Sequence, residues 1–469
     1  RRPHAAPRGC RAVVADHGNA RRMTPQEGGL QVAIGGVTGA RVAAAGICAD
    51  LRAGEMLDSS FERRAADLDA RDRRWLRELV YGMLRQRGAI DAILEERVRG
   101  GLSRVDDDLV DLMRLGVYQL MHMGSVPAYA AIAQTVEIAK VRHGIGASKL
   151  MNAVLRRIDR ESNDLTVRPP EDKLDALAMK YSHPRWLVAR WLARWGEEAT
   201  AILLMKNNAE APVVIRPYGI VREQLEAMLE ASGVDVEDAP LTRDSIQISG
   251  GISLTELGAF RQGLFFVQDP GSTLVTQYAA IPADAVVADL CAAPGGKALE
   301  LTRTAKVVLA CDRSPQRLVR LLENRARLEA HNLYIAVADA RQPAIGNVDA
   351  VLIDVPCTGT GTFRRHPDAR WRLKISDLSV MAALQSTILR AAAKVVKPGG
   401  LLIYSTCSLE PEENDAQIEE FLAKNPDWTL EPPPEGTVPP ETMDRGYLRV
   451  LPQVHGSDGA FAARLRRSQ

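Results

Sequence analysis

The apolar positions fall into three regimes along the chain. From Val37 to about Asp159 they recur at helical spacing. Leu76, Leu79, Val80 and Met83 mark one face; Leu109, Leu112, Met113, Leu115 and Leu120 mark another, behind Asp106 to Asp108, which suit the positive end of a helix. Ala131 to Val141 predicts a further helix, leading through His143-Gly-Ile-Gly146 into residues 147–157. Residues 37–160 therefore read as an all-helical domain. Pro169-Pro170 opens a linker, and 171–258 mixes periods, with helices near 174–179, 184–195 and 222–231 and strands at 213–215 and 245–249, which makes a small α+β module. Trp186, Trp191 and Trp195, at helical spacing, are expected in a core rather than as stacking platforms for bases. From 259 to 469 strand and helix alternate. The strand-like runs are 286–290, 307–310, 333–338, 350–353, 401–404 and 460–465, and the clearest helix carries Leu378, Met381, Leu384, Ile388 and Val395 on one face. This alternation predicts an α/β, Rossmann-like fold around a mostly parallel, doubly wound sheet.

Composition narrows the class. The 469 residues carry ordinary apolar (46%) and charged (25%) fractions, enough for several cores. A net charge of +1 neither requires nor excludes nucleic acid, because a balanced total can hide a basic face. Six cysteines without a C-x-x-C pair argue against a disulfide framework or a zinc ribbon, so no metal is expected and a reducing cytoplasm fits. No apolar run approaches the roughly 18 residues of a membrane span, so no membrane is expected as a partner. Residues 1–36 are expected to be a disordered extension, with Met23 as the natural start. The helical domain's arginines, among them Arg71, Arg73, Arg74, Arg77, Arg85, Arg87, Arg156 and Arg157, have two readings, a phosphate-tracking face or a solvated one.

The candidate chemistry lies at strand ends. Val351 to Ile353 runs into Asp354-Val-Pro-Cys357-Thr-Gly-Thr-Gly361, and Gly400 to Tyr404 runs into Ser405-Thr-Cys407-Ser408. Open parallel sheets bind ligands beyond the carboxyl ends of their strands, so both thiols are expected at the mouth of one cleft. Asp289-Leu-Cys-Ala-Ala-Pro-Gly-Gly-Lys297 follows the first strand of the sheet and opens a helix. It is neither a P-loop, since Cys291 stands where the leading Gly would and Ala298 where Ser/Thr would, nor a G-x-G-x-x-G turn. Asp312 ends the second strand, where an acid suits the two hydroxyls of a ribose, and Asp339 ends the third, where it suits an adenine amino group. A glycine turn followed by two acids is the layout of an adenosyl-ligand site.

Four of these segments together resemble the motifs of S-adenosylmethionine-dependent RNA cytosine-5 methyltransferases: Asp-Leu-Cys-Ala-Ala-Pro-Gly-Gly-Lys297, Asp354-Val-Pro-Cys-Thr-Gly-Thr-Gly, Tyr404-Ser-Thr-Cys-Ser-Leu-Glu-Pro-Glu-Glu-Asn414 and His455-Gly-Ser-Asp-Gly-Ala-Phe. Upstream, Leu79 to Leu84, Leu115 to Leu120 and Asn152 to Arg157 resemble the NusB-like domain of the Sun/Fmu (RsmB) branch, whose members modify 16S ribosomal RNA. The resemblance implies S-adenosylmethionine as cofactor, held by Cys291, Ala292, Ala293, Pro294, Gly295, Gly296, Lys297, Asp312, Asp339 and Asp354. It implies 16S ribosomal RNA as partner, with cytosine 967 as the target, and a monomeric enzyme. Residue chemistry alone leaves open which thiol attacks the base. The resemblance makes Cys407 the nucleophile on C6 and Cys357 the group that resolves the adduct, with Asp354 near N3 of the base and Lys297 in support. The basic stretch after the Pro-Cys turn, with Arg364, Arg365, Arg370 and Arg372, is expected to touch RNA. Val355, Thr358, Ala298 and Ala460 depart from the family's usual residues, and none removes a reacting group. Two alternatives remain: the same chemistry on transfer RNA or another RNA, and a non-catalytic ribosome-assembly or antitermination protein.

Overall fold

The computed structural model describes residues 35–162, 164–249 and 253–469. Met23 and nearly all of the expected N-terminal extension lie outside them. Among the described residues, no helix is long and apolar enough to cross a membrane. The chain folds as two compact units. One comprises the described residues up to 209 together with 363–372; the other comprises 210–362 and 373–469.

The first unit is helical. Its main helices are Gly39–Arg52, Leu57–Arg64, Ala70–Arg97, Asp107–His122, Ala128–Glu161, Lys173–Lys180 and Arg185–Asn208. Side chains start three of them: Asp69 accepts from the Asp72 N–H, Asp106 from the Asp108 N–H and Asp172 from the Asp175 N–H. The apolar stripes read from the sequence are buried, Leu76, Leu79, Val80 and Met83 against Leu112, Met113 and Leu115 in one core. Gly144, at φ 83°, bends the helix Ala128–Glu161 where the sequence expects a break. Trp191 is a core residue, edge-on to His183 and near Phe363.

Residues 363–372 pack within this helical unit, which corrects part of the RNA-contact expectation. Arg370 is fully buried. It donates to Asn208 Oδ1 at 2.6 Å, to the Asn207 carbonyl at 2.7 Å and to the Phe363 carbonyl at 3.3 Å. Arg364 is buried as well, whereas Arg365 is half-buried and Arg372 is exposed. A run of arginines looks like a phosphate contact in sequence, but carbonyl oxygens near a buried cation take the same donors.

The second unit holds two sheets. Strands β1 (Val213–Pro217), β2 (Asp235–Asp238), β3 (Ile246–Ser249) and β4 (Phe265–Val267) form an antiparallel sheet in the order β2-β3-β1-β4. Ile215, Leu225, Leu229, Ile246 and Phe265 fill its core. Two expected boundaries move: β4 pairs with β1 although it lies beyond residue 258, and the helices Lys173–Lys180 and Arg185–Asn208 group with the helical unit.

The larger sheet contains β5 (Val286–Asp289), β6 (Val307–Asp312), β7 (Leu333–Val337), β8 (Val348–Asp354), β9 (Val396–Thr406), β10 (Trp428–Leu430), β11 (Met443–Asp444), β12 (Tyr447–Val450) and β13 (Ala460–Arg467). Its order is β11-β12-β13-β9-β8-β5-β6-β7, with β10 beside β13. Strands β5 to β9 are parallel, while β10 to β13 add an antiparallel edge. Strand order reverses between β5 and β8, the position where a cleft opens beyond the strand ends.

Arg370→Met should lower stability by on the order of 3 kcal/mol, because several buried acceptors lose their donor. Urea unfolding of the purified chain measures it. A change below about 0.5 kcal/mol would mean that the buried contacts contribute nothing.

Candidate active site at the carboxyl ends of the parallel strands

The expected catalytic side chains lie at or just beyond the ends of β8 and β9, with Lys297 in the first turn of the helix Gly296–Leu301 that follows β5. Asp354 is the last residue of β8 and Cys407 follows β9. Pairing of Ile353 with Tyr404 and of Asp354 with Ser405 sets the two strand ends side by side. The turns beyond them are then fastened directly: the Gly361 N–H donates to the Cys407 carbonyl at 3.0 Å, and the Gly459 N–H to the Gly361 carbonyl at 2.8 Å. A Cβ on Gly361 would come within 2.6 Å of that Cys407 oxygen, so only glycine permits this approach.

The two thiols meet, with Cys357 Sγ and Cys407 Sγ 3.3 Å apart. Their surroundings differ. The Cys357 thiol is pushed well above the usual thiol range, first by its contact with Cys407, then by burial and by the charges of Glu413 and Asp354. Lys297 donates to Asp354 Oδ2 at 2.7 Å, and Ser405 Oγ donates to Asp354 Oδ1 at 2.8 Å. Burial opposes the Lys297 charge, yet Asp354 and the nearby Cys407 together hold its pKa above the ordinary value.

A cavity of about 230 Å³ runs from these thiols toward Asp312 and Asp339, with Cys291, Ala293 and Asp354 on its wall. Asp312 is buried and takes the Ala293 and Ser314 N–H groups at 3.2 and 2.9 Å. Asp339 is ion-paired with Arg341, which lowers its pKa. Gly295 adopts φ +119°, and a Cβ there would strike Leu321 at 2.3 Å. Ala292 is buried behind the wall and Pro294 faces solvent. Two acids beyond successive strands, with Leu290 and Ile388 as apolar walls between acids and thiols, suit the ribose hydroxyls, amino group and ring of an adenosyl ligand.

Residues 278–466 match the family described as 16S rRNA methyltransferase RsmB/F, residues 38–160 the NusB family and residues 183–255 the ferredoxin-like domain of RsmF/B-like methyltransferases. The probable ribosomal RNA small subunit methyltransferase B of Synechocystis sp. is 34% identical over 411 residues, 85% of this chain and 92% of that protein. The chain belongs to the RsmB family of methyltransferases. Ribosomal RNA small subunit methyltransferase B of Vibrio cholerae is 33% identical over 417 residues, 86% of this chain and 94% of that one. The crystal structure of PH0851 superposes with a TM-score of 0.77 at 26% identity, covering 92% of this chain and 98% of that one.

Sequence reasoning gave no role to the residues that hold this RsmB-family site together. Glu413 is fully buried and accepts from the Thr358 N–H at 2.9 Å, from Gln385 Nε2 at 2.9 Å, and from the hydroxyls of Thr358 and Ser408. Asn414 donates to the Ser408 carbonyl at 2.8 Å and accepts from Thr406 Oγ1 at 2.6 Å. The acidic run after Thr-Cys-Ser was the available signal. Asp269 was also passed over; it accepts from Ser457 Oγ at 2.7 Å and from the Asp458 N–H at 3.2 Å, which ties the His455 to Phe461 segment to the helix Pro270–Ala279.

Asp312→Ala and Asp339→Ala should each weaken S-adenosylmethionine binding about tenfold or more, with circular dichroism unchanged. Unchanged affinity in both variants by calorimetry would overturn the cofactor assignment.

A second expectation concerns pH. Asp289 is buried, its Oδ2 has no hydrogen-bond partner, and burial, followed by the charge of Asp354, pushes its pKa up to about 7. A carboxyl raised in the folded state binds more protons there than in the unfolded chain between about pH 4 and 7, so it lowers stability as pH rises through that window. Asp289→Asn should flatten the stability profile there. A profile as steep as the parent's would show that Asp289 ionises normally.

Proposed function

We propose that this chain methylates C5 of a cytosine in 16S ribosomal RNA, cytosine 967, through a covalent adduct on Cys407. The observation that carries the reading is the contact of two thiols in unlike surroundings, Cys407 within the field of Lys297 and Cys357 beside Glu413 and Asp354. C5 of cytosine is a weak nucleophile, and a thiolate that adds to C6 overcomes this by pushing an electron pair toward C5.

S-adenosylmethionine, when bound, supplies an electrophilic methyl group. Cys407 gives up its proton to solvent and its thiolate forms the Sγ–C6 bond, favoured by the Lys297 ammonium. Asp354, anchored by Lys297 and Ser405, faces N3 and supports its protonation as charge moves into the ring. After C5 carries its methyl group, the C5 proton has to leave and the Sγ–C6 bond has to break. Cys357 is assigned to that release. Once Cys407 is bonded to carbon it no longer presents a thiol or thiolate to Cys357, and the foremost cause of the raised Cys357 pKa disappears. Cys357 then loses its proton to solvent and takes the one on C5; the electrons of the C5–H bond restore the ring double bond and expel the Cys407 thiolate.

The assignment gives each thiol variant a different trapped species. Cys407→Ala should be inactive and form no covalent complex, whereas Cys357→Ala should transfer the methyl group and stay bonded to the RNA. A denaturing gel with labelled RNA and cofactor, followed by mass spectrometry of the crosslinked peptide, reads both. An adduct on Cys357 in the Cys407 variant would reverse the roles, and absence of an adduct in the Cys357 variant would remove its role in release. Bisulfite mapping of ribosomal RNA from a deletion strain, with unprotected cytosine at 967, tests the substrate.

A further inference from the structure

A cavity of about 250 Å³ in the helical unit shares no lining residue with the candidate site, and Met83, Arg87, Trp371 and Arg372 line it. Its arginines are not equally satisfied. Arg114 holds Asp91 with two donors at 2.6 and 2.9 Å and Asp111 with a third at 2.7 Å. Arg52 pairs with Asp108 and Asp111, and Arg372 reaches Asp368 Oδ2 at 3.1 Å. Arg87 makes no such bond. Its Nε is buried without a hydrogen-bond partner, and the nearest carboxylate oxygen, on Asp91, stands 3.9 Å away and is already taken by Arg114.

The guanidinium of Arg87 is nonetheless fixed in place. It lies over the Trp371 ring at 5.2 Å, and the Trp371 indole N–H donates to the Leu84 carbonyl at 2.8 Å. Gly88 lets the ring come close, since a Cβ there would lie 3.2 Å from it. A preorganised, half-buried cation with an unpartnered Nε–H is stabilised by an anion that accepts from its planar fork, and a phosphate matches that geometry better than a single-point acceptor.

We propose that the cavity beside Trp371 is a phosphate seat built on Arg87, with Arg372 at its rim, and that it takes a phosphodiester of the RNA strand. The identity of that strand rests on the RNA reading above; the phosphate chemistry does not. Asp107, Asp111 and Asp368 also face the cavity; Arg52 and Arg114 pair with Asp111 and Arg372 with Asp368, while Arg87, loosely paired with Asp91 at 3.9 Å, keeps an Nε that no acceptor takes.

The test uses the full chain, Arg87→Gln, Arg87→Lys and Arg372→Gln, with inorganic phosphate and a labelled 16S ribosomal RNA transcript as probes. Millimolar phosphate should raise the Tm of the parent and of Arg372→Gln but not of Arg87→Gln. For RNA, the slope of log affinity against log salt should fall by about 0.7 to 0.9, one phosphate contact, in Arg87→Gln, and Arg87→Lys should recover most of it. A lost phosphate response with an unchanged RNA slope would assign the seat to free phosphate instead of the RNA backbone. If neither probe distinguishes Arg87→Gln from the parent, the seat does not exist. Should Arg87→Gln fail to fold, a parent Tm that does not respond to phosphate overturns the proposal by itself. A parent that binds phosphate but no RNA would sink the ribosomal RNA reading and leave the seat standing.

Discussion

One buried carboxylate governs the geometry of the site. Glu413 takes four donors, two from Thr358, one from Ser408 and one from Gln385, and these come from the Pro-Cys turn, the Thr-Cys-Ser turn and the helix Ile375–Ala393. A carboxylate with no exposure is costly to bury unless its lone pairs are met, and here the donors that meet them are the groups that shape both turns. Sheet pairing brings β8 and β9 together to within a strand spacing. Glu413 and Asn414 then convert that spacing into contact between two thiols.

Unequal charge around equal thiols follows from the same arrangement. Glu413 and Asp354 both bear on Cys357, whereas Lys297 reaches in from the helix Gly296–Leu301 toward Cys407. Identical side chains thus sit among different charges, which is what the proposed sequence of attack and release on one base requires. The adenosyl end is built differently. Asp312 and Asp339 are presented by strand ends and tied mainly to their own local backbone and Arg341, so the cofactor side depends on the sheet and not on Glu413.

The parallel core was legible because buried parallel strands are short apolar runs ending in polar turns, and 286–290, 307–310 and 350–353 are of that kind. Its antiparallel edge was not. Strands β11 and β12 are two and four residues long, too short for a period to register, and nothing in 460–465 indicates that β13 runs against β9. The acids and thiols stood out in the sequence because each stands at or near a strand end, where a side chain has no packing reason to be polar. Arg364 and Arg370 misled for the converse reason. A buried arginine and an RNA-facing one are the same letter, and what separates them is whether carbonyls such as those of Asn207 and Phe363 lie within reach. Glu413 was hidden among neighbouring acids, Glu410 and Glu412, from which its letter does not distinguish it.

The ten residues 363–372 carry a consequence for modularity. They leave the catalytic unit right after Thr362 and return to it at Leu373, yet Arg370, Trp371 and Phe363 find their partners on Asn207, Asn208, Leu84 and Trp191. Cutting the chain at the linker near Pro170 therefore does not yield two self-sufficient pieces. A fragment beginning after Pro170 would keep Trp191, Asn207 and Asn208 beside Phe363 and Arg370 but lose Leu84 and Arg87 beside Trp371, and the helical fragment would lack that tryptophan. Recombination that exchanged one unit without this insert would part Trp371 from Leu84 and Arg87, so the insert has to travel with the helices it packs on.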